Sequence, residues 1–158
     1  MKCTRCREKA VVQLRHHNSN LCRTCFLFFF ERGATVVCGG RGGVMEAVAR
    51  GAATVGGLTV GILPTYDWRD ANPHLTVVIP TGLGYARNAL VVAAGDAVIA
   101  LPGEHGTLSE IGLALKLGRA VVGIRAWQHL EGVIVVDDPA VAVAAAFANA
   151  ATQHDRTV

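Results

Sequence analysis

Long apolar runs are missing from this chain. A helix needs about 20 consecutive apolar residues to cross a bilayer, and every apolar run here is cut by glycine or charge well short of that. The most aromatic run, Phe26-Leu27-Phe28-Phe29-Phe30, stops at Glu31. No membrane span is expected. Nor does the start read as a secretory leader, because cysteines and charges occupy the place of an apolar core, so the expected location is the cytoplasm. Charge is scarce, at 17% of residues with a formal net charge of +3. The positive excess gathers before residue 33, where Lys2, Arg5, Arg7, Lys9, Arg15, Arg23 and Arg32 outnumber Glu8 and Glu31. A basic end of this kind fits a nucleic-acid contact or merely a solvated surface, and nucleic acid is the less favoured partner. What is present is 158 residues, 51% of them hydrophobic. That is one domain's worth of chain with a real core and room for a small appendage.

The appendage is read from cysteines. Cys3 and Cys6, then Cys22 and Cys25, form two C-x2-C knuckles separated by 15 residues. Four thiolates at this spacing suit a tetrahedral zinc ion and leave no open position for water, so the expected role is structural. A pair of disulfides and an iron–sulfur cluster are the rival readings, the first disfavoured in a reducing compartment. His16 and His17 lie between the knuckles, as substitute ligands or as solvent-facing residues.

The stretch that organises the rest is residues 96–118. Residues 97–101 are a short run of Val, Ile, Ala and Leu fit for a buried strand, residues 102–106 are a turn, and residues 108–117 repeat apolar side chains at helical spacing. The first N–H groups of a helix have no intrahelical partner and sit at the positive end of its dipole. A strand, a glycine loop and a helix start therefore make a place where a phosphate can be held. Gly103 and Gly106 keep side chains out of the approach. Thr107 and Glu110 also form T-x-x-E, a capping box in which Thr107 would cap the helix and Glu110 would reach back to it.

A second junction has the same form. Residues 34–38 read as a buried strand, and Gly39, Gly40, Arg41, Gly42 and Gly43 lead into a helix over 44–54. The glycines expose main-chain N–H groups, and Arg41 offers a charge to a phosphate. A tight turn holding no ligand is the plainer reading. Cys38 reads as a buried core thiol.

Further strands are expected at 58–63, 76–79, 120–124 and 133–136. Helices are expected at 84–96 and at 139–151, the last capped by Asp137 or Asp138. Residues 65–75 carry Tyr66 and Trp68 without a period and read as a loop whose rings either stack on a flat ligand or cover the edge of the core.

The run from Pro102 through Glu110 resembles the P-G-G-x-G-T-x-x-E signature of the LOG-like superfamily, once described as lysine decarboxylases. Its members include cytokinin-activating phosphoribohydrolases and molybdenum-cofactor carrier proteins. Glu104 stands where the second glycine belongs. The run 39–46 is similar to the superfamily's G-G-G-x-x-G-[LV]-M motif, one residue shorter. Arg87 and Glu110 match an arginine and a glutamate that work together in the phosphoribohydrolases. This resemblance covers residues 33–146, and Gly61-Ile62-Leu63-Pro64, Pro80-Thr81-Gly82-Leu83-Gly84 and Ala86-Arg87-Asn88 resemble the molybdenum-cofactor carrier branch more than the enzymes. Residues 1–32 resemble the N-terminal zinc module of tRNA 2-thiolation enzymes, whose ATP-binding P-loop is absent here.

The expected fold is α/β, a Rossmann-like doubly wound parallel sheet. Its usual first strand and helix are replaced by a small four-cysteine zinc module at 1–32, followed by the LOG-like domain at 33–151 and a flexible tail at 152–158. Residues 11–14 are expected to stand in for the missing strand, since a hole in mid-sheet would leave two rows of backbone groups unpaired. The resemblance implies a homo-oligomer that binds a phosphorylated, ring-bearing small molecule, a nucleotide or a pterin cofactor such as molybdenum cofactor. The alternatives are a nucleoside 5'-monophosphate phosphoribohydrolase using Arg87 and Glu110, and an RNA-associated zinc protein.

Overall fold

The computed structural model describes the backbone of residues 10–14 and 33–153, and side chains over 33–150. Cys3, Cys6, Cys22 and Cys25, and with them the expected zinc site, lie outside the described residues, as do residues 154–158.

Strands alternate with helices along the chain: β1 Ala10–Leu14, β2 Thr35–Cys38, α1 Val44–Ala53, β3 Thr59–Leu63, β4 Val77–Pro80, α2 Asn88–Ala93, β5 Ala97–Ala100, α3 His105–Lys116, β6 Ala120–Ile124, β7 Val133–Val136 and α4 Pro139–Gln153. The strands form one parallel sheet in the order β4-β3-β2-β1-β5-β6-β7. β5 and β6 are buried at every position, which is why Ala97-Val98-Ile99-Ala100 and Ala120-Val121-Val122-Gly123-Ile124 read as unbroken apolar runs rather than alternating ones. β4 and β7, at the edges, are largely exposed.

β1 fills the middle of the sheet. Val11 is in register with Val36 on one side and with Ala97 on the other, so residues 10–14 satisfy both rows of backbone groups that a gap would have stranded.

Side-chain alternation sorts the core into two layers. Val36, Ala97, Ile99, Leu101, Val122 and Ile124 pack with α1 and α4 on one face, while Val37, Val98, Ala100 and Val121 pack with α2 and α3 on the other. Each such Val or Ile contributes roughly 1.5–3 kcal/mol by leaving water. α4 presents Ala142, Val143, Ala146, Phe147 and Ala150 to the sheet. Asp138 caps it, its Oδ1 accepting from the N–H of Ala140 at 2.8 Å and of Val141 at 3.1 Å, with Pro139 in the favoured first position.

The helix expected at 84–96 is shorter. Gly84–Arg87 is a 3-10 turn that leads straight into α2. Gly84 has a φ of 55° and donates its N–H to the Pro64 carbonyl at 2.9 Å, which ties this end of the segment to the loop after β3 and keeps it out of the helix. Among the described residues no helix is long and apolar enough to cross a membrane.

Candidate functional site

In a parallel sheet all the strands end on one edge, and ligands bind where the chain order reverses. Here that point lies between β1 and β5. The loop after β2, residues 39–43, and the loop after β5, residues 101–104, leave this edge on either side of β1, about 10 Å apart from strand spacing.

The glycines of the first loop serve two purposes. Gly39 and Gly40 are buried and needed for packing. A Cβ on Gly39 would lie 2.7 Å from Cζ and Nη1 of Arg87, and one on Gly40, whose φ is 75°, would lie 2.8 Å from Cδ2 of Leu63. Gly42 and Gly43 are exposed and crowded by nothing closer than Glu46 Oε2 at 3.8 Å, so they leave the main chain open to an approaching group. Arg41 is exposed between the two pairs.

Asn72 holds this loop in shape. Its side-chain amide donates to the carbonyls of Gly40 at 3.2 Å and Arg41 at 3.1 Å, and its backbone N–H donates to Gly40 at 2.9 Å. The amide oxygen accepts in turn from the N–H of His74 at 3.1 Å. Two carbonyls are thereby occupied, leaving the loop's N–H groups as its anion-facing polarity. In sequence Asn72 is only one polar residue of an aperiodic loop; its burial, at 7% exposure, is what marks it.

The second loop differs from its sequence reading. α3 begins at His105, with Glu104 as an extended N-cap whose side chain makes no cap bond. Leu108 donates the first intrahelical bond, to the Glu104 carbonyl at 3.0 Å. The N–H groups of His105 and Gly106 precede it, in the first turn of the helix. Thr107 is therefore inside the helix and buried, and the N-cap is Glu104 rather than the Thr107 that the T-x-x-E pattern predicts. Glu104 is exposed and does not plug the loop. A Cβ on Gly106 would meet nothing within 4 Å. Trp127 secures the base of the loop, its indole N–H donating to the Leu101 carbonyl at 2.9 Å from a backbone with φ of 68°, a conformation that costs an L residue energy and that this contact helps to hold.

Arg87 joins the two loops. It is 2% exposed, its guanidinium lies beneath Gly39, and its Nη1 is 3.6 Å from Oε1 of Glu110 on α3. Nη1 also donates to Oδ1 of Asn88 at 2.9 Å. Glu110 is 4% exposed, so each charge compensates the other in a setting where either alone would be strongly unfavourable. Of the residues singled out in sequence, Gly39, Gly40, Arg87, Thr107 and Glu110 are buried, Gly103 and Gly106 are half-buried, and Arg41, Gly42 and Gly43 are exposed. Beneath the first loop, burial pushes the Cys38 thiol above its ordinary 9.0, partly offset by the Gly40 N–H and the Arg87 charge. Among the described residues no group of three or more His, Cys, Asp or Glu side chains is arranged to hold a metal ion.

Tyr66 and Trp68 are 83% and 67% exposed, so they do not cover the core edge.

Comparison with known proteins bears on the fold and the family. The molybdenum cofactor carrier protein of Chlamydomonas reinhardtii superposes with a TM-score of 0.77 at 25% identity, over 92% of this chain and 99% of that one. The molybdenum cofactor binding protein of the phototrophic bacterium Rippkaea orientalis superposes with a TM-score of 0.74 at 30% identity, over 85% and 93%. A cytokinin riboside 5'-monophosphate phosphoribohydrolase of Mycobacterium tuberculosis is 34% identical over 110 residues, which are 64% of this chain and 59% of that protein. Residues 13–152 match the SLOG cluster4 family, and the chain belongs to that family, within the LOG-like superfamily.

Proposed function

We propose that this protein binds and carries a small molecule with a phosphate and a flat ring, of the class of nucleotides and pterin cofactors such as molybdenum cofactor. The observation that carries the reading is Arg87, buried between Gly39 of the first loop and Glu110 of α3, because it ties the two main-chain loops together through one ion pair. N–H groups at 42–43 and at the start of α3 suit phosphate oxygens, and their preorganisation lowers the ordering cost of binding. The similarity to two molybdenum-cofactor proteins over most of their length supports the same class of ligand.

Native mass spectrometry of the purified protein tests this. A retained mass of a phosphorylated pterin or nucleotide is expected, absent from a Gly43→Asp variant that brings a carboxylate into the opening. Wild-type protein that retains nothing and binds neither AMP nor a pterin phosphomonoester would refute it.

A second reading, hydrolysis of the N-glycosidic bond of a nucleoside 5'-monophosphate, is favoured by one observation, the pairing of Arg87 with Glu110 at the crevice. A carboxylate there can steer water or stabilise a ribosyl cation. Free adenine released from AMP by the wild type and not by Glu110→Ala would establish it. The Cys3, Cys6, Cys22 and Cys25 knuckles are proposed on their spacing as a structural zinc site. Stoichiometric zinc on metal analysis, lost in Cys22→Ser, is the expected result.

A further inference from the structure

The loop between β3 and β4 has no sequence period, yet it is tied down along its length. Thr81 and Gly82 donate their N–H groups to the carbonyls of Leu63 at 3.2 Å and Thr65 at 3.1 Å. Asp67 caps the short 3-10 turn Trp68–Asp70, accepting from the Arg69 N–H at 2.9 Å, and its carboxylate also takes the Arg69 guanidinium in a two-point contact at 2.7 and 2.9 Å. Asn72 then fastens the far end of the loop to Gly40 and Arg41. The loop is thus bonded on one side to the first glycine loop and on the other to the segment that delivers Arg87.

Tyr66 sits in the middle of this frame. The hydroxyl-bearing end of its ring lies against Gly82, so closely that a Cβ there would run into Cζ, Cε1 and Cε2. Gly82 has a φ of 66°, a conformation natural to glycine. The ring therefore rests on backbone that has been cleared for it, and still 83% of the residue faces solvent. An aromatic ring supported on one side and open on the other is what stacking on a flat ligand requires, because its free face can be covered without displacing the fold. Its location fits too: β3 and β4 end on the same edge of the sheet as β2 and β5.

We propose that Tyr66 is the stacking platform for the ring of a phosphate-bearing ligand, so that this site selects nucleotides or phosphorylated pterins over ring-free sugar phosphates. The inference rests on the reading of residues 39–43 and 103–107 as the phosphate-binding part. Stacking of a base on a single aromatic ring changes affinity by about 5- to 150-fold.

Titration calorimetry with AMP, a pterin phosphomonoester and ribose 5-phosphate separates the two ideas. Wild type is expected to bind both ring ligands more tightly than ribose 5-phosphate. Tyr66→Ala should weaken the ring ligands within that range, Tyr66→Phe should keep their affinity, and neither should change ribose 5-phosphate. The platform is refuted if Tyr66→Ala binds the ring ligands as wild type does, or if ribose 5-phosphate binds as tightly as they do; the phosphate site then stands. Failure of wild type to bind any of the three removes the phosphate site, and the platform with it.

Discussion

Gly39→Ala probes the junction between the two loops more sharply than any substitution of a charged residue. The backbone at Gly39 is one an L residue adopts readily, so the cost comes from the new methyl, which would lie 2.7 Å from Cζ of a guanidinium that Glu110 and Asn88 already hold. Overpacking of this kind costs about 1–3 kcal/mol, offset by roughly 0.4–1 kcal/mol from the smaller freedom of the unfolded chain. A net loss of about 1–2 kcal/mol follows, or about 2–8 °C in Tm for a domain of this length. Gly42→Ala is the control, since its methyl would find only Glu46 Oε2 at 3.8 Å; it should be neutral or slightly stabilising. Urea and thermal unfolding of both variants, repeated in an Arg87→Ala/Glu110→Leu background, complete the cycle. With the guanidinium gone, Gly39→Ala should lose its cost. An equal cost in both backgrounds would refute the placement of Arg87 beneath the loop.

Three further outcomes follow from the same contacts. Arg87→Ala alone should destabilise by about 3–5 kcal/mol, because it strands the buried carboxylate of Glu110; Arg87→Ala/Glu110→Leu should recover part of that in urea melts, and a double variant no better than the single would contradict it. Asn72→Ala removes the side-chain bonds to the Gly40 and Arg41 carbonyls, leaving Gly40 only the backbone N–H of residue 72, at about 1–3 kcal/mol. Amide exchange over residues 40–43 should quicken in that variant, and unchanged exchange would mean that Asn72 does not hold the loop. Cys38 keeps its proton to higher pH when folded than when unfolded, so the unfolded chain releases it first. Its contribution to stability is complete below pH 9.0 and is lost as pH rises through the folded value. A Cys38→Ala variant should flatten the alkaline decline of the urea midpoint, and an unaltered slope would argue against the burial of this thiol.

The elements most legible in sequence are those whose cause is local. β6 and β7 have the ends expected of them, since a strand buried between helices, or entered from a glycine turn, announces itself by a bounded apolar run. Both glycine loops, the cap at Asp138 and the alternation that makes the sheet parallel are visible for the same reason. Even the central strand follows from a local run together with the requirement that no mid-sheet backbone stay unpaired.

The site was legible only in part. Thr107 and Glu110 carry the pattern of a capping box, and nothing within residues 104–110 distinguishes that from what occurs, a helix started three residues sooner and a glutamate turned to Arg87. The deciding contact spans 23 positions of sequence, beyond any local pattern. Asn72 reaches residues 40 and 41 in the same way, and Trp127 reaches Leu101.

Sequence alone therefore determined which segments are strands, helices and open glycine turns, because hydrophobic period and backbone permissiveness act over a few residues. Which side chains meet between those turns was decided by the tertiary structure. Packing seven parallel strands in one order puts Gly39, Arg87 and Glu110 at a single edge, and close approach and charge compensation there select the contacts that local chemistry leaves open.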